Sequence, residues 1–278
     1  MKKQLILCYY LLIALPLYAQ KSEIKTLSFD SAAFALSRKQ LNSLDAKPFE
    51  KFTYHTAGIM LPYRLLAPKE IKSGAKYPLI IALHNSSRLG TDNENQLEPL
   101  TRTWLTAAMR TKFPAFVLAP QFETRPTQYA FNDAYQVTTA TPQKNLQALI
   151  QLIVEMSKNP QIDPKRIYLV GYSMGGSTAQ HLWSQQPTLF AAAISVAGVP
   201  NFSNLANIKD KPIWLIHGKQ DDENPFSGSQ KLFELLKGNT KARFTIYENL
   251  NHNTINYPLL ATDELAKWLF KWKLTTKH

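Results

Sequence analysis

A serine hydroxyl attacks a carbonyl carbon only when a base takes its proton, and the base needs a third group to fix its tautomer. The chain carries these types in a suggestive order. Ser173 lies in 170-VGYSMGGST-178, a G-x-S-x-G pattern between an apolar segment and a segment able to form a helix. Asp221 and Asp222 follow in 219-KQDDENP-225, and His252 in 249-NLNHNT-254. Of the six histidines, only His252 and the terminal His278 come after the candidate acids. Taken singly, each residue has a plainer explanation: a glycine-rich turn with an incidental serine, turn aspartates, a surface-loop histidine. Taken jointly, they form a nucleophile, acid and base.

The flanking elements must bring them together. The stretch 166-RIYLVG-171 is short, β-branched and aromatic, and predicts a buried strand. From 174 to 186 the chain lacks proline, so a helix is expected until Pro187. A sharp strand-to-helix turn lifts the Ser173 hydroxyl above the sheet edge, and its tightness calls for small residues at Gly171 and Gly175. Asp221 and Asp222 follow the predicted strand 212-PIWLIHG-218, and His252 follows 242-ARFTIYE-248. The near-continuous apolar run 77-YPLIIALH-84 predicts a central parallel strand. Further strands are expected at 58–68, 115–120 and 190–198, and helices near 30–44, 96–112, 143–159, 227–237 and 259–272. Residues 121–142 show no clear period and are expected as a long loop. Strands alternating with helices imply one α/β domain with a mostly parallel sheet covered on both faces.

Acyl transfer also needs two backbone N–H donors aimed at the developing oxyanion. Met174, next after the nucleophile, offers one, and the loop 85-NSSRLG-90 the other, with Ser86 ahead of Asn85. His84 is expected to brace this loop rather than react.

At 278 residues, with 45% hydrophobic and 19% charged residues, the chain has the composition of a globular protein. Lys2 and Lys3, the apolar run 4–19 and the exit Ala19-Gln20 predict a secretory signal peptide over residues 1–19, hence a secreted or periplasmic protein. Residues 20–50 are expected as an N-terminal extension and 51–278 as the main domain. The only cysteine, Cys8, lies in the leader, so the mature chain needs no disulfide. The net charge of +12 falls to +10 without Lys2 and Lys3, since residues 1–19 hold no acid. These charges are scattered, without a basic stripe, so neither nucleic-acid binding nor stable membrane association after cleavage is expected. Neither H-e-x-x-H nor C-x-x-C spacing occurs, and no metal or organic cofactor is expected.

The segments 61-LPYRLLAP-68, 77-YPLIIALHNSSRLGTDN-93, 163-DPKRIYLVGYSMGG-176 and 212-PIWLIHGKQDDENP-225, with the late His252, resemble secreted α/β-hydrolases of the carboxylesterase and dienelactone-hydrolase-like group. Its bacterial members include predicted peptidases and feruloyl or acetyl-xylan esterases. The resemblance spans roughly residues 55–275. It implies the single-domain α/β-hydrolase fold, whose triad runs in the order Ser, acid, His. It also implies that the acid is the aspartate four residues after His217, ranking Asp221 over Asp222. The implied activity is cleavage of a small-molecule or carbohydrate-linked ester, with a peptidase or a non-catalytic binding module as alternatives. One departure stands out. Such proteins usually read His-Gly-x-Gly where this chain reads His84-Asn85-Ser86-Ser87, and Asn85 is expected to keep the turn by tolerating positive φ. Tyr129, Phe131, Tyr135 and Trp183 are expected mainly as packing residues, with stacking on a sugar or aryl group as the alternative.

Overall fold

The computed structural model describes residues 20–56 and 58–275. The leader expected over residues 1–19 lies outside the described residues. In chain order, β1 (Lys21–Lys25) and α1 (Ser31–Ser43) precede the hairpin β2 (Phe49–Thr56) and β3 (Ile59–Leu66). Then come β4 (Tyr77–Leu83), the short helices α2 (Pro99–Arg102) and α3 (Ala107–Lys112), and β5 (Phe116–Pro120). A second hairpin, β6 (Thr127–Asn132) and β7 (Val137–Pro142), leads to α4 (Leu146–Met156). β8 (Ile162–Tyr172), α5 (Met174–Gln185), β9 (Ala192–Val196), α6 (Leu205–Ile208) and β10 (Ile213–Gly218) follow. The chain continues through α7 (Phe226–Leu235), β11 (Ala242–Tyr247), α8 (Tyr257–Leu260) and α9 (Glu264–Leu269).

Among the described residues one nine-stranded sheet runs β1-β11-β10-β9-β8-β4-β5-β3-β2. The pairs from β1 through β5 are parallel, while β3 joins β5, and β2 joins β3, antiparallel. This is the mostly parallel α/β sheet that the sequence predicted. Every residue of β4 is buried. Its pleat sends Leu79, Ile81 and Leu83 into one apolar core and Ile80 and Ala82 into the other. Leu149, Ile153, Leu182 and Trp183 of α4 and α5 fill the first core. Phe34 and Leu41 of α1, with Leu265 and Leu269 of α9, fill the second. No helix of the described residues is long and apolar enough to cross a membrane.

Several elements depart from expectation. Residues 121–142 are not a structureless loop, because they contain the β6–β7 hairpin in register from Thr127↔Pro142 to Asn132↔Val137. The span 96–112 breaks into α2, a single 3₁₀ turn (Thr103–Leu105) and α3. Residues 259–272 break likewise, because α8 ends at Leu260 and α9 begins at Glu264. β1 adds a parallel edge strand beside β11.

Helix α1 matters to the site because it delivers Phe34 and Arg38 to the cleft described below. Asp30 caps it, accepting from the Ala32 and Ala33 N–H groups at 2.9 and 3.0 Å. Asp30→Ala is expected to lower stability by about 1 kcal/mol in urea unfolding, the usual cost of losing an N-cap acceptor.

Candidate active site

Ser173 sits between β8 and α5 with φ 57° and ψ −119°. A side chain rarely adopts this backbone, which costs about 1–3 kcal/mol and persists only where its surroundings enforce it. Here the Ser173 N–H donates to Val196 O of β9 at 2.8 Å, and Ser173 O accepts from Ser177 N at 3.0 Å. The turn is tight enough to exclude side chains on either side. A Cβ on Gly171 would lie 2.1 Å from Gly175 O, and one on Gly175 would lie 2.0 Å from Leu83 O of β4. The two glycines therefore follow from backbone crowding, as the sequence suggested.

Three loops at the carboxyl ends of parallel strands then meet. Ser173 Oγ lies 2.9 Å from His252 Nε2, and His252 Nδ1 lies 2.8 Å from Asp221 Oδ2. All three side chains are buried. A carboxylate only accepts, so His252 carries its proton on Nδ1, and its bare Nε2 accepts from the Ser173 hydroxyl. Asp222, by contrast, is exposed. The His252 loop is shaped by Asn251, whose Oδ1 accepts from the Asn253 and Thr254 N–H groups at 3.1 Å each. Tyr172 anchors that loop by donating from its hydroxyl to His252 O at 2.8 Å.

Asp221 is saturated with donors. Its Oδ1 accepts from the N–H groups of Glu223 and Asn224, at 3.1 and 2.8 Å. Its Oδ2 accepts from His252 and also faces His217 Nε2 at 3.1 Å. His217 Nε2 is 2.8 Å from Asn224 O as well, and its Nδ1 is 2.7 Å from Ser229 Oγ. Two acceptors face Nε2, so it bears the ring proton and Nδ1 accepts from the serine. Burial pushes the Asp221 carboxyl up, but the hydrogen bonds from His217, His252 and Asn224 outweigh it and hold the carboxyl at about 2. Sequence reasoning missed His217 as a partner of the acid. Its i, i+4 spacing to Asp221 across a strand end was the available signal.

The oxyanion loop differs from expectation in one respect. Asn85 has φ −78° and ψ 172°, an extended backbone, so it does not serve by tolerating positive φ. Its side chain works instead. Asn85 Oδ1 accepts from Ser87 N at 2.9 Å and Ser87 Oγ at 2.7 Å, capping the 3₁₀ turn Ser86–Arg88. Asn85 Nδ2 donates to the buried carboxyl oxygen Glu98 Oε2. His84 braces the loop: its Nε2 accepts from Phe122 N at 3.1 Å, and its Nδ1 donates to Asn85 O at 2.7 Å. Burial lowers this imidazole to about 4, so it stays neutral. Met174 is the first residue of α5, and Ser86 the first of its 3₁₀ turn. First-turn N–H groups have no intrahelical acceptor.

Ser173, His252, Ser86 and Tyr172 line one open cleft of about 180 Å³, together with Phe34, Arg38, Arg88, Glu98, Glu223 and neighbours. The aromatic residues noted in the sequence serve elsewhere. Trp183 is fully buried, Tyr129 bonds Ser177 at 2.9 Å, and Tyr135 packs on Phe202 with ring centroids 4.4 Å apart. Phe131 is largely exposed. Phe34 and Tyr172 supply aromatic surface to the cleft instead.

A strained serine elbow at the carboxyl edge of a parallel sheet, faced by a histidine and an aspartate from later strand ends, defines an α/β-hydrolase. The chain belongs to the dienelactone hydrolase family, whose model matches residues 115–258. Among curated proteins it is similar to a bifunctional acetylxylan esterase/xylanase of Neocallimastix patriciarum, 30% identical over 145 residues. That match covers 52% of this chain and 19% of the relative. A poly(3-hydroxyalkanoate) depolymerase C of Paucimonas lemoignei is 28% identical over 142 residues, covering 50% of this chain and 32% of the relative. The chain thus spans less than a third of either relative's length. Among solved structures, a thermostable esterase is 31% identical with a TM-score of 0.72, over 82% of this chain and 64% of that one.

Proposed function

We propose that this protein is a serine esterase that cleaves carboxylic esters through an acyl-enzyme. The observation that carries the proposal is the unbroken relay from Ser173 Oγ through His252 to Asp221, at 2.9 and 2.8 Å. Ser173 Oγ attacks the ester carbonyl while His252 Nε2 takes its proton. The oxyanion is met by the N–H groups of Met174 and Ser86, the Asn85 backbone N–H being engaged by the Glu98 carboxyl. The tetrahedral intermediate collapses as His252 gives the proton to the leaving alcohol. Water, deprotonated by the same imidazole, then attacks the acyl-enzyme and frees the acid and Ser173. Asp221 keeps the proton on Nδ1 and stabilises the imidazolium without becoming protonated.

The similarity to an acetylxylan esterase supports a small acyl group on a carbohydrate-linked or other small-molecule ester as the substrate to try first. Secretion or periplasmic location, through a leader over residues 1–19, is part of the same proposal.

The test is intact-mass spectrometry after exposure to a fluorophosphonate. The expected result is one adduct per molecule, absent from Ser173→Ala. A folded wild-type chain that takes no adduct would refute an activated serine and favour a binding module.

A further inference from the structure

The activity proposed above rests on Ser173, His252 and Asp221, but another carboxyl in the same cleft is left without a role. Glu98 is 4% exposed, lines the cleft, and receives the side-chain amide of Asn85. The amide's other end caps the Ser86–Arg88 turn through Ser87 N and Oγ. Glu98 thus sits at the root of a chain of contacts: carboxyl to amide, amide to turn, turn to the Ser86 N–H. Glu98 precedes Pro99 at the start of α2, and its carboxyl makes no cap bond to that helix. A residue at that position ordinarily turns a short polar side chain onto its own helix, whereas here the acid reaches across to the loop. We infer that Glu98 is a positioning residue for ester cleavage, holding Asn85 so that the Ser86–Arg88 turn presents its first N–H to the oxyanion.

The electrostatics of the pocket agree. Burial pushes the Glu98 carboxyl up to about 8, against the pull of Arg88, the hydrogen bonds from Asn85, and Arg38. It is therefore neutral at pH 7 and adds no negative charge beside the nascent oxyanion. Above about pH 8 it ionises, and its charge opposes the charge building on the carbonyl oxygen. The other charged or titratable groups facing this space are Arg88 of the same loop, Arg38 of α1, Tyr172 of β8, Glu223 of the acid loop and His252. Burial raises the Tyr172 hydroxyl, so it stays neutral, and Asp221 is ionised well below it.

The experiment is kcat and KM for p-nitrophenyl acetate from pH 6 to 10, on wild type, Glu98→Ala and Glu98→Gln. Glu98→Ala frees the Asn85 amide, and kcat is expected to fall about 10²-fold with KM little changed, as for misaligned catalytic groups. Glu98→Gln restores an uncharged acceptor, so it should recover most of that loss. It should also lack the wild-type decline in kcat above about pH 8. Unchanged kcat in Glu98→Ala, or an alkaline decline that persists in Glu98→Gln, overturns the inference while leaving the esterase proposal intact. A wild type that turns over no ester and takes no fluorophosphonate overturns both. Should circular dichroism show Glu98→Ala unfolded, the pH profile of Glu98→Gln decides alone.

Discussion

Replacing Asp221 by asparagine is expected to lower kcat for an ester about 10⁴-fold, whereas Asp222→Asn stays within about twofold of wild type. The difference is geometric. In the first variant the Glu223 and Asn224 N–H groups retain the amide oxygen, so the N–H₂ meets His252 Nδ1 and the ring is held with its proton on Nε2. In that tautomer Nε2 cannot accept from Ser173, and the base is disabled. Asp222 is exposed and has no such contact to lose. Steady-state kinetics on the two purified variants, with fluorophosphonate labelling as a second readout, check the prediction. Equal losses in both would mean that the observed His252–Asp221 contact does not set the tautomer. A pH consequence accompanies it. The Asp221 carboxyl is held at about 2, below its ordinary 3.8. It therefore stabilises the fold at neutral pH, and that contribution disappears as pH falls from about 4 toward 2. Asp221→Asn should flatten this part of the acid-unfolding curve.

The second large effect concerns folding. Gly175→Ala is expected to cost more than about 4 kcal/mol, a loss confined to a few mechanisms. The added carbon would lie 2.0 Å from Leu83 O, 2.6 Å from Leu83 C and 2.9 Å from His84 O. All three are backbone atoms of β4 and the residue after it, so no rotamer change relieves the clash; α5 or β4 must move. Against a total stability of roughly 5–15 kcal/mol, that is enough to compromise the native state. Gly74→Ala provides the contrast. Gly74 has φ +72° with open space around its would-be Cβ. Its cost is conformational only, about 1 kcal/mol. Thermal melts should show a shift of more than about 10 °C for Gly175→Ala, and a few degrees for Gly74→Ala. A Gly175→Ala variant that melts like wild type would mean that the elbow can open without cost.

The site was legible in the sequence to the extent that each reactive residue lies within a few residues after a predicted strand. The runs before Ser173, Asp221 and His252 are apolar enough to announce strands, so the placement of the loops that follow them was readable. What escaped was governed by contacts distant in sequence. β1 reads KSEIK, mostly polar and exposed, and becomes a strand only because β11 offers an open edge. β6 and β7 carry threonine, glutamine and alanine where alternation would require larger apolar residues. His217 looks like one more residue of a buried strand until the chain folds Asp221 back onto its Nε2. Asn85 was misjudged because its backbone suggested a role that its side chain fills instead. Glu98 escaped because a carboxyl beside a proline ordinarily marks a helix start, and its partner lies thirteen residues earlier.

The pairing of β1 with β11 has a consequence for the order of assembly. Lys21 aligns with Arg243 and Lys25 with Tyr247. The first strand thus finds its partner only across a separation of 222 residues, from Lys21 to Arg243. Until Ala242–Tyr247 has been synthesised and has docked on β10, β1 has no native neighbour, and the far edge of the sheet stays unfinished. Closing that long a loop carries an entropic penalty that local pairings such as β2–β3 do not. Completion of the β1 edge thus waits on β11, and the chain from Lys21 through Tyr247 must be available before the sheet can close.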